Sequence, residues 1–153
     1  MIFLVRHAKA GSRDNELPDD TVRPLSKAGW RQAGALVRPL LAAGAAGPLV
    51  ASPYVRCVET LRPLAKRIGT RVARDGRLAE GQSFIPMLEL MAASPDGAVL
   101  CSHGDMIPEV VKALVRRGCT INTEPNWKKA SVWVLHRDDE GVFIDAECWP
   151  PPK

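Results

Sequence analysis

Two short apolar runs constrain this chain more than any other feature. Ile2-Phe3-Leu4-Val5 leads directly into Arg6-His7-Ala8, and Ala98-Val99-Leu100-Cys101 leads directly into Ser102-His103-Gly104. Apolar runs of this length read as strands of an α/β sheet. Open α/β sheets bind ligands beyond the carboxyl ends of their strands, so two strand ends carrying histidine can share one pocket though far apart in sequence. Arg6 beside the first histidine makes phosphate the expected guest.

Strand-like and helix-like segments alternate along the chain. A strand over 2–6 is followed by a polar, acidic loop over 12–24. Ser26 then reads as the N-cap of a helix in which Trp30, Ala33, Leu36, Val37, Leu40 and Leu41 recur at helical spacing. That helix should stop near Gly44, with a kink at Pro39. A buried strand at 49–51 precedes a helix expected to open at Ser52-Pro53, with proline in its first position, and to run to about Ile68 with an interruption at Pro63. A strand at 70–73, a helix at 85–93, a strand at 98–102 and a helix at 108–116 stopped by Gly118 follow. The β-rich runs 131–135 and 142–147 flank a charged turn ending in Gly141 and read as an antiparallel hairpin that closes the sheet. The expectation is a single domain over 1–153: a three-layer α/β fold, a mostly parallel central sheet flanked by helices, with a C-terminal β-hairpin.

Composition narrows the function. At 153 residues the chain has the size of one domain, and its net charge of +4 suits an anionic ligand but is too mild and scattered for nucleic acid. No apolar stretch is long enough to span a membrane and no leader precedes the first strand, so a cytoplasmic protein is expected; the sequence leaves its oligomeric state open. Cys57, Cys101, Cys119 and Cys148 are widely spaced, without a C-x-x-C pair or a histidine at zinc-binding spacing. Buried thiols are expected, and neither metal nor cofactor.

Four segments, each behind a strand or at a helix start, now align in order: Leu4-Val5-Arg6-His7-Ala8, the stretch from Ser52 through Arg56 to Glu59-Thr60, Leu78-Ala79-Glu80-Gly81, and Ser102-His103-Gly104-Asp105. Together they resemble the histidine phosphatase superfamily, which includes the cofactor-independent phosphoglycerate mutase relatives, and the resemblance spans nearly the whole chain. It implies that His7 is a nucleophile that becomes phosphorylated, with its other ring nitrogen held by a partner such as a backbone carbonyl. It implies that Arg6 and Arg56 hold the phosphate oxygens, that His103 is a second histidine on the phosphoryl group, and that Gly104 lets the backbone approach closely. Arg56 read alone is equally a solvated helix arginine. Glu80 matches the general acid, although its spacing also fits a solvated loop glutamate, and Glu16, Asp19 and Asp20 are the alternative acids.

The run Val22-Arg23-Pro24-Leu25-Ser26-Lys27-Ala28-Gly29 is similar to the compact SixA-type branch, the phosphohistidine phosphatases, and places Arg23 near the site as an anion contact or as a cap on the loop. Ala8-Lys9-Ala10-Gly11 departs from the mutase pattern, and the helical insertion that serves larger members as a lid is missing. The stretch from Lys128 to Leu135, with Trp149 and the final prolines, is similar to the phosphatase domain that follows a Nudix domain in some actinobacterial MutT-like proteins. No such domain precedes Met1, so the expectation is a separate protein of that branch or one half of a divided pair. Trp127 and Trp133 are candidates for stacking on a base, or for the core. The expected substrate is therefore a phosphohistidine-bearing protein domain or, as the alternative, a nucleotide or other small phosphorylated metabolite. A non-catalytic module that binds phosphorylated ligands is the reading from a different class.

Overall fold

The computed structural model describes residues 1–12 and 19–153. Seven strands form one sheet in the order β3-β2-β4-β1-β6-β7-β5, where β1 is Ile2–Arg6, β2 Leu49–Ala51, β3 Val72–Arg74, β4 Val99–Ser102, β5 Thr120–Ile121, β6 Val132–Arg137 and β7 Phe143–Trp149. The half from β3 to β1 is parallel; β6 is antiparallel to β1, β7 to β6, and β5 runs parallel to β7. Helices α1 (Lys27–Ala42), α2 (Val55–Ile68), α3 (Phe84–Ala93) and α4 (Met106–Arg116) cover the two faces. The three-layer architecture expected from the sequence is present.

The apolar run of β1 is continuous because the strand is buried on both sides. Ile2 and Leu4 face the core of α3 and α4 with Leu100, Met91, Val110 and Trp133, whereas Phe3 and Val5 face that of α1 and α2 with Leu36, Leu61 and Leu64. Register then places the site. Arg6 pairs with Ser102 across β1 and β4, and the His7 N–H donates to the Ser102 carbonyl at 3.1 Å, so His7 and His103 leave the sheet side by side.

Several boundaries differ from the sequence reading. Helix α2 starts at Val55, after an extended Tyr54, so Pro53 lies before the helix and not in its first position. The hydroxyl of Ser52 accepts from the Tyr54 N–H at 3.3 Å and also meets His103 Nε2 at 2.8 Å, while Tyr54 itself stays extended. Pro63 does not interrupt α2, which continues to Ile68 and ends on Gly69 in the left-handed conformation; likewise α1 runs through Pro39 to Ala42. Helix α4 begins at Met106 rather than Pro108, because the third helical residue needs no N–H partner within the helix and a proline is tolerated there. The strand read at 70–73 is Val72–Arg74, in register with β2. The hairpin forms, but it does not close the sheet: β5, too short to be read from sequence, pairs outside β7. Among the described residues, no helix is long and apolar enough to cross a membrane.

Candidate active site

A cavity of about 490 Å³ sits at the carboxyl ends of β1 and β4, lined by Arg6, His7, Arg23, Arg56, Glu80, His103 and Gly104, with Lys9 and Lys129 at its mouth. Every candidate taken from the four motifs reaches it.

His7 Nδ1 lies 2.8 Å from the Ala8 carbonyl. A carbonyl only accepts, so Nδ1 carries the proton and Nε2 keeps its lone pair. Burial lowers the pKa of the ring to about 3; the Ala8 bond opposes this, and His103, Arg56 and Arg6 add to it. The loop behind His7 is fixed from two sides. Thr60 on α2 accepts from the Ala8 N–H at 2.9 Å while donating to the Arg56 carbonyl at 2.7 Å. Gln32 on α1 accepts from the Lys9 N–H at 2.9 Å, and the Lys9 carbonyl accepts from both the backbone and the hydroxyl of Ser26. Gly29 lets that helix approach: a Cβ there would sit 1.9 Å from the Lys9 carbonyl oxygen.

Arg56, in the first turn of α2, is 1% exposed. Its two terminal nitrogens donate to the Asp20 carbonyl, the Asp20 carboxylate and Glu80 Oε1 at 2.9, 3.1 and 3.3 Å, and its guanidinium carbon lies 4.8 Å from the centre of the Tyr54 ring. Arg6 donates to the Trp127 carbonyl. Gly104 serves Arg6 directly, since a Cβ at that position would come within 2.6 Å of the guanidinium carbon. His103 is bonded through Nε2 to Ser52 Oγ at 2.8 Å, with Cys57 Sγ at 3.6 Å, and its ring centre lies 5.5 Å from that of His7. Its Nδ1 is 3.8 Å from Glu80 Oε2, in reach of a charge interaction but beyond a hydrogen bond.

Glu80 therefore points into the cavity, and Asp105 holds its loop by accepting from the Gly81 N–H at 2.8 Å. Of the alternative acids, Asp20 also reaches Arg56, Asp19 is exposed and bonded to Thr21, and Glu16 lies outside the described residues. Arg23 lines the cavity and ties the loop by donating to Asp20 Oδ1 and the Gly11 carbonyl at 2.8 and 2.7 Å. Sequence reasoning missed Ser52, Thr60 and Lys129 as residues of the site. Ser52 and Thr60 stood inside a quoted motif, but only the fold reveals whom their hydroxyls meet.

Among the described residues, four buried side-chain polar atoms lack a hydrogen-bond partner: Arg6 Nε, Arg56 Nε, His103 Nδ1 and Trp133 Nε1. Three of the four belong to residues of this one cavity. Buried donors are rarely left unpaired, and an oxyanion at this position is the ligand that three such donors accommodate. Of the two readings for Trp133 the structure takes the core: the ring is fully enclosed, and Trp127 packs against it at 5.0 Å. The four cysteines are free and buried, and no group of three or more metal-ligating side chains gathers among the described residues.

A family model for the histidine phosphatase superfamily, branch 1, matches residues 2–83. The 8-oxo-(d)GTP phosphatase of Mycolicibacterium smegmatis is 33% identical over 157 aligned positions, which cover 99% of this chain but 48% of that protein, so the chain spans about half the length of this curated relative. Among solved structures, the protein histidine phosphatase SixA complexed with tungstate superposes with a TM-score of 0.73 at 19% identity, over 97% of this chain and 93% of that one. A candidate phosphohistidine phosphatase SixA from Nakamurella multipartitia gives 0.62 at 30% identity, over 76% and 66% of the respective chains.

Proposed function

The chain belongs to the histidine phosphatase superfamily, and from that premise we propose that it is a phosphatase that passes the phosphoryl group of its substrate through His7. The observation that carries this reading is the set of unpaired donors on Arg6, Arg56 and His103 beside a histidine whose Nε2 lone pair is free. In the first step Nε2 attacks phosphorus and the bond to the leaving oxygen breaks. Arg6, Arg56 and His103 hold the equatorial oxygens, where negative charge persists through transfer, and Glu80 gives a proton to the leaving oxygen. In the second step Glu80 takes a proton from water, the water oxygen attacks phosphorus, the N–P bond breaks, and Nε2 is restored with its lone pair. Because His7 stays neutral down to about pH 3, the nucleophile needs no prior deprotonation.

On substrate, the phosphohistidine reading draws on the shortness of the chain, which lacks the lid insertion of larger members, and on its likeness to SixA-type folds. The small-molecule reading draws on the relative at 33% identity, whose own substrate is a nucleotide. The test is phosphate release in the presence of chelator from a phosphohistidine domain protein, nucleoside di- and triphosphates and sugar phosphates, with His7→Ala alongside. Turnover of one class, lost by roughly 10⁴-fold or more in the variant together with trapping of labelled phosphate on the protein, is the expected result. Anion binding without turnover of any class would replace the phosphatase with a phospho-ligand binding module.

A further inference from the structure

The cavity of His7 adjoins a second one of about 660 Å³, and Arg6, Lys9 and Lys129 line both. Beyond them the second cavity reaches Lys128, the amides Gln32 and Asn126, and Pro150 and Pro151. None of these lining residues carries a carboxylate, although the chain as a whole has 17 acidic residues against 21 lysines and arginines. The ammonium groups of Lys9, Lys128 and Lys129 meet no acceptor among the described residues. Burial, followed by the charges of Arg6, Arg23, Lys9 and Arg56, lowers the pKa of Lys129, as expected where cations crowd without a counter-charge.

The backbone that presents these lysines is held in an unfavourable conformation. Ala130 has φ +66°, the one positive value at a non-glycine residue among those described, and is fully buried. Left-handed backbone costs an alanine roughly 1–2 kcal/mol, and such strain clusters where a site over-determines it. Here the Ala130 N–H is shared between the carbonyls of Arg6 and His7 at 3.1 and 3.2 Å, which ties the Lys128-Lys129 turn to the end of β1. The strained residue thus fixes two lysines over the arginine that both cavities share.

We propose that Lys9, Lys128 and Lys129 form a second anion subsite that selects small substrates carrying another phosphate next to the phosphoryl group received by His7. The inference rests on the phosphatase reading and names the substrate class for it. Because Arg6, Lys9 and Lys129 face both cavities, the two anions are neighbours, as in a diphosphate. In the transfer, the bond from the terminal phosphorus to the bridging oxygen breaks as Nε2–P forms. Glu80 gives its proton to that oxygen, and the departing phosphate stays among the three ammoniums, whose charge stabilises it. The remaining space beside Pro150 and Pro151 admits the body of the molecule. A phosphorylated protein side chain carries no obligatory second anion and leaves the subsite unused.

The experiment measures inhibition of p-nitrophenyl phosphate turnover by inorganic phosphate and by pyrophosphate. In the native protein pyrophosphate should inhibit about tenfold more tightly, a difference of roughly 1.4 kcal/mol. In Lys128→Met/Lys129→Met that ratio should fall to about 2 or less, with retained inhibition by phosphate reporting an intact fold and phosphoryl site. Arg62→Met/Lys66→Met, which removes the same charge from the exposed face of α2, should keep the native ratio. No preference in the native protein, a preference that survives the lysine changes, or faster turnover of a phosphohistidine domain protein that ignores them would overturn the subsite alone. Failure of phosphate to compete, together with turnover that survives His7→Ala, would instead remove the phosphatase reading and the subsite with it.

Discussion

On the floor of the cavity Arg56 and His103 are each 1% exposed and oriented by neighbours that already fill part of their bonding capacity, Asp20 and Glu80 for the first and Ser52 for the second. At the rim Lys9 and Lys128 are exposed and their ammonium groups have no acceptor among the described residues. The two regions hold the same sign of charge by opposite means. A buried guanidinium without partners would cost several kcal/mol, so the floor is pre-organised, and its unpartnered atoms, Arg56 Nε and His103 Nδ1, belong to residues of one cavity. A solvated lysine costs little and orients little, so the rim supplies positive potential more than fixed geometry.

The sharpest way to break the floor without touching a charge is Gly104→Ala. Its Cβ would meet the Arg6 guanidinium at 2.6 Å, so the arginine must move while the sheet remains. The expected outcome is a loss in kcat/KM on the order of 10²-fold with little change in thermal unfolding, because displacements of about 1 Å have that effect on a positioned group. A loss of stability with activity intact would place Gly104 in the scaffold instead. Next in size is Gly29→Ala. Alanine in a helix ordinarily gains about 1 kcal/mol over glycine, but here the new Cβ would lie 1.9 Å from a backbone oxygen that cannot rotate away. We expect a net destabilisation of about 2 kcal/mol in denaturant unfolding, the sign being the informative part.

The smallest effect is on pH dependence. The pKa of His7 is lowered from its ordinary 6.5 to about 3 in the folded protein, so between those values the unfolded chain binds more protons. The stability that comes from keeping this ring neutral is complete above pH 6.5 and is lost as pH falls toward 3. The loss has reached roughly 1.4 kcal/mol by pH 5.5. His7→Gln should flatten the unfolding free energy against pH over this window by that amount, and identical curves for both proteins would show that the ring is solvated.

Much of this arrangement is legible in the residues. The apolar run Ile2–Val5 already reads as a strand, and the histidine directly behind it implies a side chain at the strand's carboxyl end. The alternation of strands and helices, the N-cap at Ser26 and the hairpin around Gly141 follow from local rules of capping and turns. Where the reading failed, a tertiary contact outweighed a local preference. Ser52-Pro53 has the composition of a helix start, yet the hydroxyl of Ser52 meets both the Tyr54 N–H and His103, and the helix begins three residues later. Thr120–Ile121 is too short to signal a strand and becomes one only because β7 offers it a free edge.

The sequence by itself picked out residues that line one cavity: Arg6, His7, Arg56, Glu80, His103 and Gly104 stand in four ordered motifs. The tertiary structure decided how each of them is held. Pairing of Arg6 with Ser102 sets the two histidines side by side, the Ala8 carbonyl selects which nitrogen of His7 is free, and the left-handed turn at Ala130 brings Lys129 to the same cavity. The physical reason is range: strand and helix preferences act over a few residues and can be read along the chain, whereas hydrogen-bond partners and burial depend on residues that only folding makes neighbours.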